Sequence, residues 1–155
     1  MKFLFLLFLI PFKSFSFEVK SQDLGPSQKV NLSWELSEDK SSRRLREIEI
    51  NGGKIDIDGE WLNADEEAEI ESMDLNFDKK TDYAITIRRG VSNRYILYLL
   101  WDEAIKKFIS LGIRPELTLV EKSKCWTGFE KGNESKAVNL RVEKNKFINC
   151  TYKKN

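Results

Sequence analysis

The chain has 155 residues, 41% hydrophobic and 33% charged, with 26 basic and 25 acidic side chains and no histidine. A charge balance that close excludes a nucleic-acid binder that works by exchanging counterions with phosphates. Without histidine, Ser-His, Cys-His and His-metal arrangements are also excluded, so we expect a non-enzymatic protein with no cofactor and no metal.

The first residues read MKFLFLLFLIPFKSFSF: Lys2, an apolar run from Phe3 to Phe12, then Ser14 and Ser16 at the two positions a signal peptidase reads. A membrane span needs roughly 20 apolar residues, and Pro11 and Lys13 interrupt this run early. Residues 1–16 are therefore expected to be a signal peptide removed after Ser16, with membrane contact only if they are retained. Losing Lys2 and Lys13 from the 26 basic residues leaves 24 against 25 acidic ones, a formal charge of −1. The expected location is periplasmic or secreted. There the two cysteines, Cys125 and Cys150, read as one disulfide, worth roughly 3.5 kcal/mol in the chain-entropy picture. Three N-x-S/T triplets, at Asn31, Asn133 and Asn149, would accept glycans in a eukaryotic host.

Along the chain, residues 17–44 read as a tether followed by an extended segment, and residues 45–155 as a single α+β domain. Residues 17–29 contain Gly25-Pro26 and no periodicity. KVNLSWELS follows, in which Val30, Leu32, Trp34 and Leu36 alternate with polar residues as in a half-buried strand or an extended segment awaiting a partner. REIEI and KIDID flank Asn51-Gly52-Gly53, a hairpin turn signal. Residues 64–74 are read as a helix, with acidic residues early and Ile70, Met73 and Phe77 at helical spacing, although Met73, Leu75 and Phe77 equally fit a strand. Tyr83, Ile85 and Ile87 mark a strand over 82–88. Leu97, Leu100, Trp101, Ala104, Ile105, Phe108 and Leu111 recur at three- and four-residue steps, which predicts a long helix that Gly112 ends. Leu117 and Leu119 mark a further strand, and a strand–helix–strand step implies a parallel crossover. AVNLRVEK and KFINCTY read as closing strands. The expected fold class is thus α+β: a small mixed sheet with a hairpin, one or two helices packed on one face, and disulfide-stapled strands at the C-terminus.

Few residues offer chemistry. Asp56, Asp58 and Gly59 resemble a fragment of a calcium loop whose remaining spacing fails. The acids Asp65, Glu66, Glu67, Glu69 and Glu71 read as a solvated face. Trp101 and Trp126 are of a kind that stacks on sugar rings, yet Trp101 falls on the apolar stripe.

Three stretches carry a family likeness. REIEINGGKIDIDGEWL, the strand ending ITIR at Arg88, and WDEAIKKFISLGIRPELTLVE together resemble the periplasmic domain of the ExbD/TolR family, the small partners of proton-driven envelope motors. KVNLSWELS sits where that family keeps a segment able to pair with a sheet edge. The resemblance covers residues 30–122, with 45–122 as its domain part and 123–155 as a disulfide-linked extension without counterpart. The chain departs from the family in lacking an acid in residues 1–16 and in placing Lys106 where a mid-helix aspartate is usual. What the resemblance implies is a soluble interaction module, a possible homodimer, that contacts an envelope protein or peptidoglycan. Val30, Leu32, Trp34 and Leu36 would be its partner-binding strand. The other reading is a secreted, disulfide-stapled α+β binding domain of unrelated family.

Overall fold

The structure, a computed structural model, describes residues 16–23, 29–57, 62–63, 68–89, 94–131 and 135–151. Of the expected signal peptide only Ser16 falls within them. The chain is built as three antiparallel sheets laid down one after another. Sheet A runs β1 (Ser16–Asp23), β2 (Lys29–Leu36), β3 (Ser42–Ile50) and β4 (Gly53–Asp56), with β5 (Leu62–Asn63) beside the start of β3. Sheet B runs β6 (Ile70–Met73), β7 (Asp82–Arg89), β8 (Arg94–Asp102) and β9 (Lys107–Pro115). Sheet C runs β10 (Thr118–Val120), β11 (Cys125–Lys131), β12 (Ser135–Glu143) and β13 (Lys146–Asn149).

Sheet B is covered on both faces. Along β8 the alternation is strict: Leu97 and Leu99 pack with Val30, Leu32, Trp34, Leu45 and Ile48 of sheet A. Ile96, Tyr98 and Leu100 pack with Leu117, Trp126 and Leu140 of the sheet C side. Strand β7 divides the same way, Tyr83, Ile85 and Ile87 toward sheet A and Ala84 toward sheet C. Each side chain buried in these layers contributes roughly 1.5–3 kcal/mol of hydrophobic stabilisation.

This arrangement corrects the expected fold class. Neither predicted helix is present: no α-helix occurs among the described residues, and every strand pair is antiparallel. The stretch expected as a long helix is the hairpin β8–β9, with Trp101 opposite Phe108 and Asp102 opposite Lys107. A strand buried on both faces shows a continuous apolar run, which periodicity alone does not separate from a buried helix. The four-residue turn then supplied the remaining helical spacing. Ile105, expected in the core, is 54% exposed at the turn. Lys106 takes φ 53°, and the Asp102 carboxylate accepts the Ala104 N–H at 2.9 Å. Gly112 does have a positive φ of 89°, but at a bulge where Leu111 is the extra residue between the Tyr98–Gly112 and Leu99–Ser110 pairs, not at a helix end. The helix expected over 64–74 is overturned where it is described, since Ile70–Met73 is strand β6 paired with β7; residues 64–67 lie outside the described residues. The expected tether begins with β1.

Other readings match. Asn51 (φ 50°) and Gly52 (φ 83°) form the two-residue turn between β3 and β4, the twist that right-handed strands favour. Lys144 and Asn145 make a second such turn between β12 and β13. Cys125 and Cys150 form a disulfide with Cα atoms 6.0 Å apart, tying the start of β11 to the residue after β13 across sheet C.

Candidate functional site

The four residues read as a partner-binding strand lie in β2, which is hydrogen-bonded to β1 on one side and β3 on the other. Val30, Leu32 and Trp34 are buried in the core between sheets A and B, and Leu36 is half-buried. Both main-chain edges of β2 are therefore occupied, and Val30, Leu32 and Trp34 are enclosed. Within sheet A the edge next to it belongs to β1.

Strand β1 differs from its neighbours in what it buries. It pairs with β2 over eight residues, from Ser16 opposite Leu36 to Asp23 opposite Lys29. None of Ser16 to Gln22 is buried. Glu18, Lys20 and Gln22 share the face of Trp34, Leu32 and Val30, their partners across the ladder. Phe17 and Val19 point to the other face and are 63% and 61% exposed. The β2 ladder and a Ser21–Asn31 hydrogen bond of 2.8 Å hold the strand. The sequence signal for β1, Phe17 and Val19 alternating with charges, was present but faint, because a strand that adds nothing to the core shows no buried face.

Beside Phe17 the outer face of sheet A carries a carboxylate clamp. Glu35 accepts from Arg44 Nε at 2.7 Å and from Arg46 Nε at 2.6 Å. The bulge between Ser33 and Trp34 brings both arginines onto this one acid. The Arg44 hydrogen bond holds the Glu35 carboxyl below the usual carboxylate range, against the effect of burial, with Arg46 adding to it. On the inner face Arg43, 1% exposed, stacks on Trp34 with its Cζ 4.4 Å from the ring centroid. The Arg43 guanidinium nitrogens and Trp34 Nε1 are buried without a hydrogen-bond partner.

Two further features stand apart from the edge. A cleft of about 430 Å³ opens at the end of the A/B layers, between the β3–β4 turn and the β8–β9 turn. Trp101 lines it, while Trp126 is enclosed and donates its indole N–H to the Leu75 carbonyl at 3.0 Å. Elsewhere the acids serve structural ends. Glu69 and Glu71 meet Arg94 at 2.6 and 3.5 Å, Asp56 is exposed on β4, and Asp58 and residues 65–67 lie outside the described residues. Asp82, fully buried, accepts the N–H groups of Leu75 and Trp101, each at 2.8 Å. No group of three or more Cys, Asp or Glu side chains placed to hold a metal occurs among the described residues.

The disulfide is compatible with an oxidising compartment, and no helix among the described residues is long and apolar enough to cross a membrane. No family model matches the chain, and no curated protein or solved structure is detectably similar to it.

Proposed function

We propose that this protein is a non-enzymatic, exported interaction module that works by adding strands at the open edge of β1, and that the strand it receives is the β1 of a second copy. One observation carries the reading: an edge strand of which none of Ser16 to Gln22 is buried, with Phe17 and Val19 outward. Proteins usually blunt such edges, because an open row of N–H and C=O groups templates pairing with another chain. The likeness to ExbD/TolR domains drew on a helix that is replaced by the β8–β9 hairpin, so the proposal rests on β1 instead. The periplasm or the exterior remains the proposed location, with the staple as its support. An envelope protein or peptidoglycan is then the target that the paired modules would hold.

Self-pairing is favoured by charge. Two antiparallel copies of FEVKSQD, the part of β1 that remains after removal of Ser16, centred on Val19 set Glu18 of each copy opposite Lys20 of the other. Opposite charges across a ladder contribute roughly 0.2–1 kcal/mol per pair, and the two-fold symmetry makes every contact occur twice. Phe17 of one copy then lies diagonal to Val19 of the other on the shared outer face. The test is light scattering over a concentration series on the exported chain. A dimer is expected, lost in Glu18→Lys, which sets lysine against lysine at both places, and recovered when Lys20→Glu is added. A monomer at all concentrations, or a dimer indifferent to Glu18→Lys and to Val19→Pro, would overturn the reading.

A further inference from the structure

The cleft between the β3–β4 and β8–β9 turns has no part in edge pairing, and its lining combines apolar walls with charges of one sign. Ile50 and Ile55 come from sheet A, and Trp101 and Phe108 face them from sheet B. The two aromatic rings meet edge to face with centroids 5.0 Å apart, and Phe108 also packs on Tyr83, which fixes the wall. Gly52 and Gly53 form the rim on the sheet A side, so a ligand can approach that turn's backbone closely. The charged lining residues are Lys54, Lys106 and Lys107, and no carboxylate belongs to the lining. Glu47 and Glu103, which pair with Lys54 and Lys106, lie outside it.

From this we infer that the cleft is a binding site for a small amphipathic organic anion: a flat apolar body against Trp101 and Phe108, with a carboxylate, sulfonate or phosphate head among the three lysines. A volume of about 430 Å³ lies in the range of small-molecule sites. The chemistry divides cleanly, since the apolar walls supply affinity without direction and the lysines select the charge. Lys54 is held 2.9 Å from Glu47, and Glu47, with Glu49 and Asp56 adding to it, raises its pKa, so the ligand's head exchanges with Glu47 at that ammonium while Lys106 and Lys107 complete the cationic rim.

The probe is anilinonaphthalene sulfonate, an aromatic sulfonate whose emission rises in apolar surroundings, titrated into the full exported chain. N-Phenylnaphthylamine, with a similar body and no charge, is the comparison. One sulfonate per chain is expected, with energy transfer from tryptophan. Its affinity should fall about fivefold for each of Lys54→Gln and Lys107→Gln, the loss of roughly one exposed charge contact. Lys136→Gln, on β12, should leave it unchanged. Both cleft lysines are exposed, so folding should survive, and an unchanged urea midpoint checks this. Equal affinity for the uncharged probe would overturn the anion assignment. Sulfonate binding indifferent to both cleft substitutions would overturn the site. Neither result bears on dimerisation, which is read separately by light scattering.

Discussion

Replacing Asp82 by asparagine tests how the 74–80 loop is held to sheet B. The Asp82 carboxylate sits at the start of β7 with no exposure, one oxygen accepting the Leu75 N–H and the other the Trp101 N–H, both at 2.8 Å. Burial pushes its pKa from 3.8 up to about 6; the two N–H groups resist this, and Asp78 and Asp74 add to it. An acid whose pKa is raised on folding binds a proton in the folded state that the unfolded chain has released. Its contribution to stability is therefore largest below the unfolded value and falls as pH rises through about 4 to 6. At about 1.4 kcal/mol per pH unit, the interval amounts to about 3 kcal/mol. Asparagine does not titrate, so Asp82→Asn removes this dependence. It retains one acceptor oxygen and leaves one N–H unsatisfied, an offset of about 1–3 kcal/mol at acid pH. Urea unfolding from pH 3.5 to 7.5 should show the wild type losing about 3 kcal/mol relative to the variant. Glu35 has the opposite sign: its lowered pKa contributes stability above the ordinary carboxylate range and loses it as pH falls through the folded value. Glu35 is common to the wild type and the variant, so its contribution cancels in the comparison. Parallel profiles for wild type and Asp82→Asn, or a wild type that gains on the variant as pH rises, would refute the reasoning.

Two other substitutions have signs set by packing. A Cβ at Gly128 on β11 would stand 2.8 Å from the Glu116 carbonyl oxygen and 2.8 Å from Leu117 Cδ2. Because the first is backbone, Gly128→Ala should cost about 1–3 kcal/mol in urea unfolding, and a loss below about 0.5 kcal/mol would show that the Glu116–Leu117 segment yields freely. Arg43→Met should act in the other direction. It removes a buried cation without hydrogen-bond partners and keeps the volume over Trp34. A gain of about 1–3 kcal/mol is expected after subtracting the ring contact; a loss of more than about 1 kcal/mol would mean that the stack on Trp34 outweighs the burial of the charge.

What the sequence made legible is what depends on neighbours in the chain. Asn51-Gly52 states its turn outright, because few residue pairs tolerate two positive φ values in succession. Strands β2, β7 and β12 each show one apolar parity, and the cysteine count foretold the staple. The candidate sites were less visible for reasons that are also physical. Strand β1 presents a polar face to the core side, so the faint alternation of Phe17 and Val19 with charges reads as a tether. The cleft joins residues some fifty positions apart, from Ile50–Ile55 and Trp101–Phe108, and only the layering of sheet B on sheet A brings them together.

The misread hairpin β8–β9 carries the more general argument. A single apolar stripe on a surface helix requires polar residues between its steps, and the stripe through Leu97, Leu100 and Trp101 leaves Ile96, Tyr98 and Leu99 off it. A helix would have to expose those three, whereas a strand with both faces covered buries all six from Ile96 to Trp101, or nearly so. That surplus of apolar residues on both parities is the signature of a middle layer, and it constrains the rest of the chain. A sheet apolar on both faces needs a covering sheet on each side, one laid down before it and one after. Sheets A and C meet that need in chain order, which is why no long crossover is required and why all the pairings are antiparallel. Sheet A is then four strands wide, as sheet B is, with the short β5 beside the start of β3 on the β4 side, and β1 forms its margin with Phe17 and Val19 outward.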